Sequence, residues 1–77
     1  LPVAVQESLP AIDVSGHIYD ARPVARMVFI NGNIHREGDM IAGNLQLLGI
    51  TPNGVELSFR NTPFRMELFA MPKQGGN

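Results

Sequence analysis

The chain has 77 residues with six basic and seven acidic side chains, and it contains no cysteine. This length allows a single domain with one thin hydrophobic core, which argues against a deep substrate cavity. The net charge of −1 lacks the cationic excess that phosphate backbones require, so nucleic acid is excluded as a partner, and the missing cysteines exclude disulfides and thiolate metal sites.

Both ends of the sequence are typical of linkers. Residues 1–11 carry two prolines without a sustained hydrophobic period, and residues 71–77 end in Pro-Lys-Gln-Gly-Gly-Asn. We predict one domain over residues 12–70 between these tails. No run approaches the roughly 20 apolar residues of a membrane span, and the first residue is Leu1, so we expect a piece of a longer protein.

Between the tails, apolar and polar residues alternate with a period of two and are interrupted by Gly, Asn and Pro. This pattern predicts an all-β fold, a small antiparallel β sandwich or partly open barrel of five to six short strands. The first strand covers residues 12–19, and its apolar face carries Ile12, Val14 and Ile18. The opposite face, expected to meet solvent or a partner, carries Asp13, Ser15, His17 and Tyr19.

The next predicted strands are residues 26–30 and 33–36, joined by Asn31-Gly32 in a type I′ turn. Residues 37–44 have no clean period and predict a turn or a single helical turn. In that segment Glu37 and Asp39 are expected to cap backbone groups rather than to form an acid/base pair.

Two further hairpins follow. Strands 45–51 and 55–60 flank Pro52-Asn53-Gly54, and two registers stay open. A three-residue loop pairs Thr51 with Val55. A two-residue Asn53-Gly54 loop instead places Leu48 and Ile50 beside Phe59 and Leu57. Because it matches apolar side chains, the second register is slightly favoured. The last hairpin is predicted to turn at Asn61-Thr62, with three apolar pairs on one face: Phe59–Phe64, Leu57–Met66 and Val55–Leu68.

Candidate catalytic and metal-binding residues are few. Asp13, Ser15 and His17 are the residue types of a hydrolase triad, but same-face neighbours on one strand lie roughly 6.5–7 Å apart, which is too far for proton transfer. His17 and His35 lack further donors at a recognised ligand spacing, so no metal is expected. Diagonal ion pairs across the strands are the expected role of the charged residues of the last hairpin, with a patch for an anionic partner as the alternative: Glu56, Arg60, Arg65 and Glu67.

Strand addition to an exposed sheet edge is the binding mode that remains. The first strand is our candidate edge because it follows a tail and ends near an amphipathic aromatic residue. The predicted partner-binding residues are Asp13, Val14, Ser15, His17, Ile18 and Tyr19.

Three blocks occur in order along the chain: Val-Phe-Ile-Asn-Gly at 28–32, Arg-Glu-Gly-Asp at 36–39 and Leu-Gly-Ile-Thr-Pro-Asn-Gly-Val-Glu-Leu at 48–57, closed by Phe64-Arg65. In this order they resemble the periplasmic domain of the general secretion pathway protein B family, an accessory component of the bacterial type II secretion system. The resemblance covers about residues 9–69. Residues 60–63 depart from the glycine-containing turn expected in that family.

The resemblance implies a periplasmic, non-catalytic scaffold domain of an inner-membrane protein, without cofactors. The implied partner is the N-terminal periplasmic domain of the outer-membrane secretin; other inner-membrane secretion components or a peptidoglycan-binding ATPase are further candidates. The alternative is a small barrel that binds glycan or peptidoglycan. That alternative predicts a groove with exposed aromatic side chains, and the sequence offers Tyr19 for it.

Overall fold

The structure is a computed structural model that describes residues 8–69, so most of the two predicted tails lies outside the described residues. Seven strands follow one another along this part of the chain: β1 (Val14–Ile18), β2 (Met27–Ile30), β3 (Asn33–His35), β4 (Met40–Ala42), β5 (Leu45–Ile50), β6 (Gly54–Phe59) and β7 (Thr62–Glu67). A single 3₁₀ turn, Pro23–Ala25, precedes β2. Within residues 8–69 no helix is long and apolar enough to cross a membrane.

The strands form two antiparallel sheets, β1–β2–β3 and β4–β5–β6–β7. Their facing sides share one core of eight buried side chains: Val28, Ile30, Leu45, Leu47, Ile50, Val55, Leu57 and Phe59. The predicted antiparallel β sandwich is confirmed, and the described strands do not close into a barrel. The predicted number of five to six strands is wrong, because β4 forms inside a segment that we assigned to a turn.

The Asn31-Gly32 turn between β2 and β3 is confirmed. Both residues have positive φ angles, 53° and 83°, and Ile30 pairs with Asn33 across the two-residue loop. A type I′ turn requires this left-handed conformation at both positions, which Asn and Gly tolerate best. The local sequence therefore determines both the turn and the register of this hairpin.

Residues 37–44 contain β4, whereas we predicted only a turn. Turns lie on both sides of β4, at residues 36–39 and at Gly43-Asn44. In the first turn the Asp39 carboxylate accepts the Arg36 N–H at 2.8 Å, and the Asp39 N–H donates back to the Arg36 carbonyl. The Gly38 N–H also donates to the Leu47 carbonyl at 2.7 Å. After the turn at residues 36–39, Met40–Ala42 pairs with β5 as the antiparallel strand β4.

The β5–β6 hairpin adopts neither of the two registers left open. Thr51 and Gly54 bond each other's backbone, with Thr51 N 2.9 Å from Gly54 O, so the loop is Pro52-Asn53 and Ile50 pairs with Val55. The Thr51 hydroxyl accepts the Gly54 N–H at 2.9 Å and stabilises this tight loop. Neither proposed register included a side-chain hydrogen bond at the turn.

The β6–β7 hairpin turns one residue earlier than predicted, at Arg60-Asn61, where both φ angles are positive (51° and 65°). Phe59 therefore pairs with Thr62. The predicted pairs are wrong by two residues, and the observed ones are Leu57–Phe64 and Val55–Met66. The apolar residues stay on the core face because the shift is even. Arginine is uncommon at positive φ, so residue preference does not predict Arg60 in the turn.

A β-bulge in β1 overturns the predicted faces of the first strand. The register shifts between Val14, which pairs with Ile30, and Gly16, which pairs with Phe29. The bulge reverses the alternation beyond Ser15. Val14 packs on the core as predicted, but Ile18 is 46% exposed on the outer side and His17 turns inward.

Candidate functional site

The candidate site is β1 itself, which lies at the edge of the three-stranded sheet with β2 on one side. In an antiparallel ladder, alternate residues direct their backbone groups toward the partner strand. The Ile30–Asn33 pair closes a two-residue turn, so Phe29 and Met27, which alternate with Ile30, direct their backbone groups toward β1. Phe29 pairs with Gly16 and Met27 with Ile18, so the N–H and C=O groups of His17 point away from β2. The edge therefore presents backbone groups that a further strand can pair with.

The chain before β1 is held in place by Asn31. The Asn31 carboxamide accepts the Asp13 N–H at 2.9 Å and donates to the Ala11 carbonyl at 2.8 Å, and the Asn31 N–H bonds the Asp13 carbonyl at 2.8 Å. Leu9, inside the predicted N-terminal tail, also packs against the core. These contacts use the backbone of Asp13 internally, so its exposed carboxylate is the part of this residue that a partner can reach.

His17 joins the two sheets. Its Nε2 lies 2.9 Å from the Thr51 carbonyl oxygen and 3.1 Å from the Gly54 carbonyl oxygen, in the β5–β6 turn. Both neighbours are acceptors, so Nε2 carries the proton. The ring also meets Phe69 edge-on, with centroids 5.1 Å apart. This imidazole is a structural cross-link rather than the solvent- or partner-facing group we predicted.

A groove of about 180 Å³ runs along β1. It is lined on one side by β1 and on the other by the segment that follows β7: Val14, Ser15, Gly16, His17, Leu68 and Phe69. Phe69 is 49% exposed, whereas Leu68 packs against the core. The groove offers apolar contacts to side chains of a strand that pairs with β1.

Tyr19 follows β1 and is held by Arg26. The guanidinium carbon lies 4.7 Å from the centre of the tyrosine ring, and Nη2 donates to the phenol oxygen at 3.3 Å. The same guanidinium donates to the carbonyls of Asp20 and Ala21. Tyr19 remains 41% exposed, so one side of the fixed ring is available at the end of the candidate edge.

Arg26 also connects this end of β1 to the second sheet through Glu37. Glu37 Oε2 lies 3.1 Å from Arg26 Nη1 and accepts the Ile50 N–H at 2.8 Å. Both side chains are mostly buried, with 18% and 24% of their area exposed. Glu37 and Asp39 thus satisfy backbone donors, which confirms the capping role predicted for them.

The carboxyl group of Asp20, in the loop after β1, has a lowered pKa. The Arg22 side chain donates to its carboxylate at 3.2 Å, the Arg22 N–H donates at 2.8 Å, and the charge of Arg26 acts in the same direction. These interactions, the Arg22 side-chain bond first, hold the pKa of Asp20 below its ordinary value of 3.8. The Asp20 carboxylate therefore stays ionised to a lower pH than an ordinary aspartate does.

The other described sheet edges are less suited to strand addition. β3 and β4 have three residues each. β7 carries Pro63, which has no N–H, and its outward side chains include Arg65 and Glu67, features that discourage edge pairing. An ion pair is present on this hairpin, but directly across the strands and not diagonally as predicted: Arg65 Nη2 lies 3.6 Å from Glu56 Oε2. Arg60 instead lies over the Phe59 ring.

A second groove, of about 420 Å³, lies on the other sheet and is lined by Leu48, Glu56, Pro63, Phe64 and Arg65. Its aromatic residue is half-buried and belongs to the core face of β7. Among residues 8–69 no three His, Asp or Glu side chains come close enough to hold a metal ion. His35 approaches one carboxylate, that of Asp39, at 3.7 Å.

Sequence reasoning missed several residues of the site. Gly16 was assigned no role, yet it lies under the Phe29 ring, and a Cβ there would approach Phe29 Cδ1 to 2.8 Å. Leu68 and Phe69 line the groove although they are distant in sequence from β1. The glycine in the middle of an apolar strand was a signal that could have been used, since it often marks a bulge or a close approach.

Comparison with known proteins gives the family. Residues 9–68 match the family model of "Type II secretion system protein B". The chain is 37% identical over 59 residues to general secretion pathway protein B of Dickeya dadantii strain 3937, and 28% identical over 57 residues to the protein of that name from Aeromonas hydrophila. These matches cover 77% and 74% of this chain and 27% and 25% of the relatives, so the chain spans about a quarter of their length.

The fold agrees with that assignment. The crystal structure of Dickeya dadantii GspB from the type 2 secretion system superposes with a TM-score of 0.73 at 37% sequence identity, covering 77% of this chain and 70% of the solved chain. The family model, the sequence relatives and the solved structure all point to the same component of the secretion system. The chain belongs to the type II secretion system protein B family.

Proposed function

We propose that this domain is a non-catalytic assembly domain that binds the N-terminal periplasmic domain of the outer-membrane secretin by accepting a strand at β1. The proposal places the domain in the periplasm as part of an inner-membrane protein. Asp13, Val14, Ser15, His17, Ile18 and Tyr19 form the contact segment. Family membership supports a role in type II secretion. The choice of the secretin as partner rests on what the resemblance to the protein B family implies.

The observation that carries the proposal is the position of β1 at a sheet edge within residues 8–69, beside an apolar groove. His17 directs its backbone groups away from β2, and its side chain fixes β1 to the second sheet. A prearranged edge loses little conformational freedom when a strand adds to it. Side chains of that strand would enter the groove lined by Leu68 and Phe69.

An NMR titration tests this proposal. The labelled domain is titrated with the isolated N-terminal periplasmic domain of a cognate secretin, and amide shifts are followed. We expect the largest shifts in β1 and at Leu68 and Phe69. Shifts concentrated on β7 would contradict the mode of binding, and no shift at millimolar concentration would contradict the partner.

The alternative, a glycan- or peptidoglycan-binding domain, is tested by the same spectra with soluble muropeptides in place of the secretin domain. Exposed aromatic side chains in the described region include Tyr19 and Phe69, at 41% and 49% exposure. They lie at the end of β1 and in the groove, so muropeptide-induced shifts at these two residues would favour the alternative.

A further inference from the structure

The outer side of the three-stranded sheet is apolar. Val28 and Ile30 face the core, so the residues that alternate with them in β2 face outward together with their cross-strand neighbours. We call this surface the outer apolar face, and it consists of Ile18, Met27, Phe29 and Ile34. Antiparallel sheets that pack on one side normally present polar residues on the other, which is not the case here.

The outer apolar face is continuous with the β1 edge. Ile18 belongs to β1 and is 46% exposed, and Ile34, two strands away, is 55% exposed. Between them the Phe29 ring lies across Gly16, which carries no side chain to hold it away from β1. The aromatic ring therefore extends the apolar surface up to the strand edge, as aromatic residues do when they cover a cross-strand glycine.

We propose that the partner that adds a strand to β1 also places an uncharged, apolar element on the outer apolar face. This inference rests on the proposed function and extends it. Strand addition alone satisfies the backbone of His17 but leaves Phe29 and Ile34 in water. Because no charged side chain projects from the paired positions of these strands, an apolar surface is the chemistry that fits them.

The test compares two apolar residues on different sheets whose side chains are exposed to nearly the same extent, 55% for Ile34 and 54% for Met40. Ile34→Asp alters the outer apolar face, and Met40→Asp, at 54% exposure on β4, is the matched control. Affinity for the secretin N-terminal domain is measured by calorimetry, and thermal melting reports the fold of each variant. We expect Ile34→Asp to weaken binding at least tenfold and Met40→Asp to stay within twofold of the unaltered chain. Ile34→Ser serves if the aspartate variant does not fold, with a smaller loss expected.

Three results would contradict the inference. Equal affinity of Ile34→Asp and the unaltered chain overturns the inference and leaves the proposed function standing. Failure of the unaltered chain to bind overturns the proposed function and this inference with it. Sedimentation that shows self-association of the domain alone, abolished by Ile34→Asp, would mean that a second copy covers the face, which also overturns the inference.

Discussion

The imidazole Nε2 of His17 lies 2.9 Å from the carbonyl oxygen of Thr51, and this hydrogen bond connects the edge strand of one sheet to a turn of the other. The β1 bulge makes it possible, because it rotates His17 inward where a regular strand would have turned it outward. The strand proposed to receive a partner strand is therefore fixed to the second sheet through the His17 side chain.

Removing the imidazole should loosen β1. His17→Ala deletes the bonds to Thr51 and Gly54 and the contact with Phe69, and we expect the free energy of unfolding to fall by about 1–2 kcal/mol. His17→Gln, which retains an N–H donor, should recover part of the loss. Urea denaturation measures both variants, and equal stability of His17→Ala and the unaltered chain would contradict the cross-link.

Arg26 should contribute more to stability than the neighbouring Arg22. Arg26→Met leaves Glu37 mostly buried without its cationic partner and releases Tyr19, so we expect a loss of about 1–3 kcal/mol. Arg22→Met is the control: that side chain is 77% exposed, and its change should stay within about 0.5 kcal/mol. Chemical denaturation of the two variants would refute the prediction if their losses were the same.

Gly16 should not tolerate a side chain. A Cβ at this position would come within 2.8 Å of Phe29 Cδ1, so Gly16→Ala should cost about 1–2 kcal/mol as the ring is pushed aside. Gly43→Ala is the matched control, because nothing lies within 4 Å of its Cβ position, and it should be neutral to within about 0.5 kcal/mol. Thermal unfolding compares them, and a smaller loss for Gly16→Ala when Phe29 is replaced by Val would identify the ring as the cause.

Asp20 should titrate below its ordinary value in the folded domain. A lowered folded pKa means that the ionised carboxylate favours the folded state at pH above 3.8, and that this contribution is lost as the pH falls through the folded pKa. Carboxyl NMR should show the pKa rising toward 3.8 in Arg22→Gln, which removes the largest cause, while Arg36→Gln should leave it unchanged. An unchanged titration in Arg22→Gln would assign the shift to another group.

The parts of the fold that local chemistry determines were predictable from the sequence. The Asn31-Gly32 turn fixed the β2–β3 register because both residues tolerate positive φ, and the apolar alternation of residues 55–59 identified their core face. The β6–β7 register was not predictable, since its turn requires Arg60 at a φ of 51°, a conformation that tertiary pairing and not residue preference imposes.

The edge position of the first strand was predicted, but the faces on which its side chains lie were not. Residues 14–18 do form a sheet edge, yet the bulge at Ser15 exchanges the positions of His17 and Ile18, and a one-residue irregularity has no reliable signal in a single sequence. The groove depends on Phe69, whose contact with His17 joins positions far apart in the chain. Such long-range contacts are fixed by the packing of the two sheets and not by local pattern.

The most direct test of strand addition is to block one backbone donor without changing a side chain. A semisynthetic domain with an N-methylated His17 amide loses the outward N–H of β1, and the same change at Glu67, whose amide points away from β6, is the matched control on β7. We predict that the His17 derivative binds the secretin N-terminal domain at least about tenfold more weakly, a change of about 1.4 kcal/mol, and that the Glu67 derivative binds as the unmodified chain does. Equal affinity of the two derivatives and the unmodified chain would contradict strand addition at β1.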